Sequence, residues 1–126
     1  MLILSCDENF VIVKCEDCLD SEPYEATIKV EVDDNGSFEG KLTIYEGNIE
    51  DDIVVTSAPV YGNPMEFLVK INKRYTFKVE YTGNSGIKYT AINSVYPRVK
   101  LELEQCSNSP CFYIYDNKLN MKLKYQ

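Results

Sequence analysis

The chain has 126 residues, 44% hydrophobic and 26% charged, a size and balance that fit one globular domain with its own core. A formal charge of −7 with no basic run argues against a nucleic-acid surface, which needs a cationic footprint. There is no histidine, hence neither the usual general base nor the commonest zinc ligand, and no apolar stretch reaches the ~20 residues of a membrane-spanning helix.

Along the chain the dominant signal is alternation with period two, the mark of half-buried strands. ATIKVEV puts Ala26, Ile28, Val30 and Val32 on one face. DDNG then reads as a turn, with Asn35-Gly36 suited to positive φ. GKLTIYEG follows with Leu42 and Ile44 facing one way and Tyr45 the other. Next, EGNIEDDIVV is ambiguous, its Ile53, Val54 and Val55 forming a short apolar run that reads as a buried strand. MEFLVKI gives Met65, Phe67, Val69 and Ile71 inward, and RYTFKVEY gives Tyr75, Phe77, Val79 and Tyr81. After the turn residues TGNSG, IKYTAI puts Ile87, Tyr89 and Ala91 inward, with Ala91-Ile92 as a bulge or strand end. RVKLELE places Val99, Leu101 and Leu103 inward; CFYIYD and LNMKLKY close the series, the latter with Leu119, Met121, Leu123 and Tyr125.

No window shows a helical apolar stripe with caps. Strands at spacings of about ten residues, joined by Gly, Asn, Asp and Pro turns, give an all-β expectation: an antiparallel β-sandwich of about seven to eight strands, immunoglobulin-like or transthyretin-like. One-sided alternation favours antiparallel pairing.

The opening ILSC, residues 3–6, resembles the lipobox of bacterial lipoproteins: Ile3, Leu4, small Ser5, then Cys6. The acidic pair Asp7-Glu8 behind it is similar to the export signal of Bacteroidetes-type surface lipoproteins. YTAINSVYPRVK, the short Cys106-to-Cys111 loop and CFYIYDNKLNMKLKY resemble small immunoglobulin-like lipoproteins of that group, which carry no assigned activity. The resemblance implies that residues 1–6 are the truncated end of a lipoprotein signal and that 7–126 form a single sandwich domain. It further implies acylation at Cys6 and a surface-exposed, lipid-anchored protein of the outer membrane. The plainer alternative is a buried free thiol at Cys6.

Setting Cys6 aside leaves an even number of cysteines, Cys15 and Cys18 as C-x2-C and Cys106 and Cys111 as C-x4-C, which fits two disulfides. Three pairings are open. A local Cys106–Cys111 bridge would close the SNSP turn, whereas pairing across would link the N-terminal segment to the C-terminal hairpin. Two close pairs also fit a four-thiolate zinc site, favoured in a cytosolic setting where disulfides are rare. A redox C-x-x-C wants a helix N-terminus at its first cysteine, and Cys15 ends the strand-like FVIVKC.

Among the tyrosines, Tyr75, Tyr81, Tyr89 and Tyr125 read as core residues with hydroxyls at the rim. Tyr45, Tyr113 and Tyr115 fall on the opposite phase and are the candidate ligand-binding rings, able to stack on sugars or anchor a partner. The oxygen-rich DDNGSFEG and EGNIEDD are calcium candidates whose simpler reading is a solvated turn. No serine has a histidine to activate it, and no glycine-rich phosphate loop occurs, so neither catalysis nor a cofactor or resident metal is expected. The expectation is a monomeric, non-enzymatic structural or adhesive domain meeting an envelope protein or glycan, with a tyrosine-based glycan module and a cytoplasmic zinc-stabilised β-domain as alternatives.

Overall fold

The structure, a computed structural model, describes residues 13–34, 36, 38–104, 106–107 and 110–123. Cys6, Asp7, Glu8, Asn35 and Tyr125 lie outside the described residues. Among the described residues there are nine strands: β1 (Glu25–Glu31), β2 (Phe38–Glu46), β3 (Val54–Pro59), β4 (Met65–Lys70), β5 (Tyr75–Gly83), β6 (Lys88–Val95), β7 (Arg98–Glu102), β8 (Cys111–Tyr115) and β9 (Lys118–Asn120). Helix is confined to two 3-10 turns, Cys15–Asp17 and Ile49–Asp51. The chain is all-β.

Strand order is β4-β1-β9 in one sheet, β3-β2-β5-β6 in a second and β7-β8 in a small third. Every pairing is antiparallel except β1 with β9, which run parallel in register Val30 to Leu119. The first two sheets share one core. Ile28 and Val30 of β1, Met65 and Val69 of β4, and Leu119 of β9 pack with Leu42 and Ile44 of β2 and Phe77, Val79 and Tyr81 of β5. A strand presents alternate side chains to one face, so Ala26, Ile28 and Val30 are buried while Thr27, Lys29 and Glu31 between them are exposed. A one-residue slip would expose that whole set, which pins the register.

Tyr81 joins the two layers. Its side chain is wholly buried; its hydroxyl donates to the Met121 carbonyl (2.8 Å) and accepts the Asp33 N–H (3.2 Å). Asp33 follows β1 and Met121 follows β9, so one phenol on β5 holds two strand ends of the facing sheet. The Asp33 carboxylate also accepts the Leu123 N–H at 2.7 Å. The hydroxyl expected at the rim is therefore an interior hydrogen-bond hub. Gly40 serves another close approach: a Cβ there would meet the Val60 side chain at 2.6 Å, so β2 admits no larger residue where Val60 crosses it.

Four expectations are corrected. The Ile53–Val55 run is not a buried strand; it opens β3 at a sheet edge with all three side chains exposed, and among the described residues no strand pairs with its far side. Ile87 and Tyr89 are exposed as well, since β6 forms the opposite edge; the Tyr89 ring keeps its inward phase only as far as an edge contact with Phe38. The Ala91-Ile92 doublet stays in regular register with β5. At the end of β7 the expected phase is reversed: Val99 is half-buried like its neighbours, Leu101 and the following Leu103 are exposed and Glu102 is buried, since this hairpin forms its own small sheet and Glu102 stands opposite Cys111.

Candidate functional site

Two regions place chemistry-bearing groups together. The first is the junction between the N-terminal turn and the β7–β8 hairpin. The Cys15–Asp17 turn is followed by Leu19, which exchanges backbone hydrogen bonds with Phe112 of β8 (3.0 and 3.2 Å). Cys15, expected at a strand end, thus sits in a tight turn aimed at the hairpin. Disulfides join Cys15 to Cys106 and Cys18 to Cys111, with Cα separations of 5.5 and 4.9 Å. Of the three pairings open to the sequence, the fold takes a crossed, long-range one, because the Leu19–Phe112 bridge brings the first pair over the second. Cys106 and Cys111 are buried, Cys15 and Cys18 half-buried. The Sγ atoms of Cys18, Cys106 and Cys111 lie within 4.8 Å of one another.

Beside this junction Tyr113 lines a cleft of ≈ 250 Å³ with Asp17, Leu19, Thr27, Asn117 and Lys118. The Asn117 amide donates to the Thr27 carbonyl at 3.2 Å, fixing the cleft wall to β1. Tyr115 has a different neighbourhood: the Arg98 guanidinium lies 5.1 Å from its ring centroid and 4.8 Å from that of Tyr96. Both tyrosines are half-buried, so the freely exposed pair expected from strand phase is instead one cleft-lining ring and one ring covered by arginine. Tyr45 is a clearer correction. It points away from the core as expected yet is only 7% exposed, with the Lys78 ammonium 5.6 Å above its ring. Its hydroxyl is the leading cause holding the Lys78 pKa above the usual lysine value. Among the described residues the most exposed tyrosines, Tyr24 and Tyr61, lie in loops, where strand phase gives no signal.

The second region is the free edge of β3. Ile53, Val54 and Val55 are each about half exposed, and residues 53–59 carry no charge in a chain of net charge −7. Val60 donates its N–H to the Gly40 carbonyl (2.8 Å), so by ladder alternation Ala58 and Thr56 also turn their backbone groups toward β2. Ser57 then presents its N–H and C=O outward, and Pro59 stands where a missing N–H breaks no ladder bond. The register shift opposite Ile44 and Tyr45 inserts Val55 as a bulge.

The acidic loops spend carboxylates on backbone N–H groups: Asp33 accepts that of the distant Leu123, and Asp51 accepts that of Asn48 in its own loop at 3.4 Å. No protein-family model matches the chain, and neither a curated protein nor a solved structure matches it.

Proposed function

We propose that this chain is a non-enzymatic binding domain of the cell envelope, tethered through Cys6, which recognises another envelope component by strand addition at the edge of β3. The observation that carries the reading is the β3 edge itself, uncharged, apolar and, among the described residues, paired along one side alone. Edges are protected by charge, proline or a bulge; β3 carries Pro59 at one end and the Val55 bulge at the other, and the uncharged stretch between them, with the outward Ser57 backbone, is the template for a short extended partner segment. The ILSC box supports the tether, and the disulfides fit an oxidising compartment.

A tagged chain should be retained on the native envelope fraction. Ser57→Pro removes the outward N–H and Val55→Lys charges the bulge; either should lower retention at least about tenfold, the loss of one or two edge hydrogen bonds with their apolar cover, while the far-ultraviolet circular dichroism stays unchanged. Unaltered retention in both variants would reject the edge. The second reading is a glycan module, favoured by the Tyr113 cleft with its adjacent carboxylate, amide and ammonium groups. Retention that survives the β3 changes but is lost on Tyr113→Ala with Tyr115→Ala, and is competed by soluble envelope glycan, would decide for it.

A further inference from the structure

The disulfide junction gathers more sulfur than two cross-links require. Two bridges that only staple chain ends can sit anywhere along the two segments; here three of the four sulfurs lie within 4.8 Å of one another and the fourth, of Cys15, is bonded to one of them. Cys15 Sγ is bonded to Cys106 Sγ, and Cys106 Sγ lies within 4.8 Å of both sulfurs of the other bridge. A tetrahedral thiolate site with Zn–S near 2.3 Å spaces its sulfurs about 3.8 Å apart. Opening each bridge and closing the gap between bridges to that spacing asks for shifts of about an ångström or two per sulfur, within reach of side-chain rotation. The spacings C-x2-C and C-x4-C are both chelating lengths, and the first pair already lies on a turn, with the Cys18 N–H donating to the Cys15 carbonyl at 3.3 Å.

We propose that the reduced chain binds one zinc ion through Cys15, Cys18, Cys106 and Cys111, so that the same four sulfurs hold the junction either as two disulfides or as one tetrahedral metal site. The interchange balances with a dithiol reductant. Each bridge takes two electrons and two protons from one dithiol, which leaves as its own cyclic disulfide, and four thiols result. Zinc then displaces four protons and is held by four thiolates. The buried Cys106 and Cys111 lie at the ends of the hairpin loop and the more open Cys15 and Cys18 on the turn, so the ion enters from the turn side. Metal binding joins the two segments that the disulfides joined and stabilises the same fold. The proposal is independent of the β3 edge and of the tether at Cys6.

The test uses the full chain, reduced anaerobically with a phosphine, which consumes one water per bridge and leaves as phosphine oxide. Cobalt(II) is titrated as a spectroscopic probe and then displaced with zinc. The expected result is saturation at one equivalent with the intense visible bands of tetrahedral thiolate-bound cobalt, bleached by one equivalent of zinc. Zinc should also raise the thermal midpoint of the reduced chain. The oxidised chain should show neither effect, and Cys15→Ala with Cys106→Ala should abolish the tetrahedral spectrum in the reduced state. Circular dichroism recorded through the titration covers the case in which reduction alone unfolds the chain, since zinc must then restore the strand signal. Absence of one-equivalent saturation, an octahedral cobalt spectrum, or bound zinc that neither raises the midpoint nor restores strand signal would overturn the proposal.

Discussion

Removing both disulfides should destabilise the oxidised domain by about 7 kcal/mol, whereas removing either one alone should cost only about 2–3 kcal/mol. The bridges span 91 and 93 residues, and in the chain-entropy model a single loop of that size is worth about 4.6 kcal/mol. Once one bridge is present, the other closes only the short circuit through residues 15–18 and 106–111, worth about 2.5 kcal/mol. Each bridge therefore masks nearly half of the loss of the other. Urea unfolding of Cys15→Ala/Cys106→Ala, Cys18→Ala/Cys111→Ala and the quadruple variant measures the three values. Single-bridge losses that simply add up to the double loss would refute the shared-loop account. A loss of about 7 kcal/mol is comparable to the whole stability of an ordinary domain, so the quadruple variant should sit at or near its unfolding midpoint already at low urea.

Tyr81→Phe should cost about 2–4 kcal/mol, the largest effect of any single-atom deletion in the core. It removes one oxygen but takes the donor from the Met121 carbonyl and the acceptor from the Asp33 N–H, both at the buried seam between the sheets. Tyr75→Phe is the control: its hydroxyl makes one bond, to the Lys70 carbonyl at 2.9 Å, and its loss should cost about 1 kcal/mol. Equal costs for the two would show that the Tyr81 hub contributes nothing beyond an ordinary hydrogen bond. The same hydroxyl predicts an alkaline limit. Burial raises the Tyr81 pKa, opposed by the Asp33 amide and reinforced by the Asp33 charge. The unfolded chain releases the phenolic proton at about pH 10 and the folded chain later, so above that pH the unfolded state binds fewer protons and stability falls as pH rises. Below it the contribution is complete. Tyr81→Phe should flatten this alkaline decline; an unchanged slope would assign it elsewhere, with Tyr75, also raised by burial, the next group to replace.

Where a strand has the core on one side and solvent on the other, its letters declare its place. Ala26, Ile28 and Val30, or Phe77 and Val79, follow from the pleat alone. The signal fails at the edges and outside the sandwich. Ile53–Val55 is as apolar as a buried strand, and a short apolar run carries no mark of whether another strand will cover it. Leu101 and Glu102 exchange their expected sides because β7, among the described strands, pairs with β8 alone and takes its orientation from Cys111 opposite Glu102. For the tyrosines, phase told which side Tyr45 leaves the sheet but not that Lys78 would lie across it. The cysteine count allowed two bridges; their crossed pairing depends on the Leu19–Phe112 contact, which joins residues 93 apart and has no local signature.

The crossed bridges also determine how this molecule would carry a mechanical load. A pull entering at Cys15 passes through sulfur to Cys106 and leaves after Cys111, bypassing the ring of chain that holds β1 to β7. Roughly 300 Å of extended polypeptide, the contour length of a 91-residue loop, is thereby locked out of reach of tension. Of the described strands only β8 and β9 lie on the strained path, so a force that peels them away would leave the β3 edge and its sheet unstretched. Tied in this way, the domain behaves under shear as a short inextensible link, with its apolar edge held off the line of force.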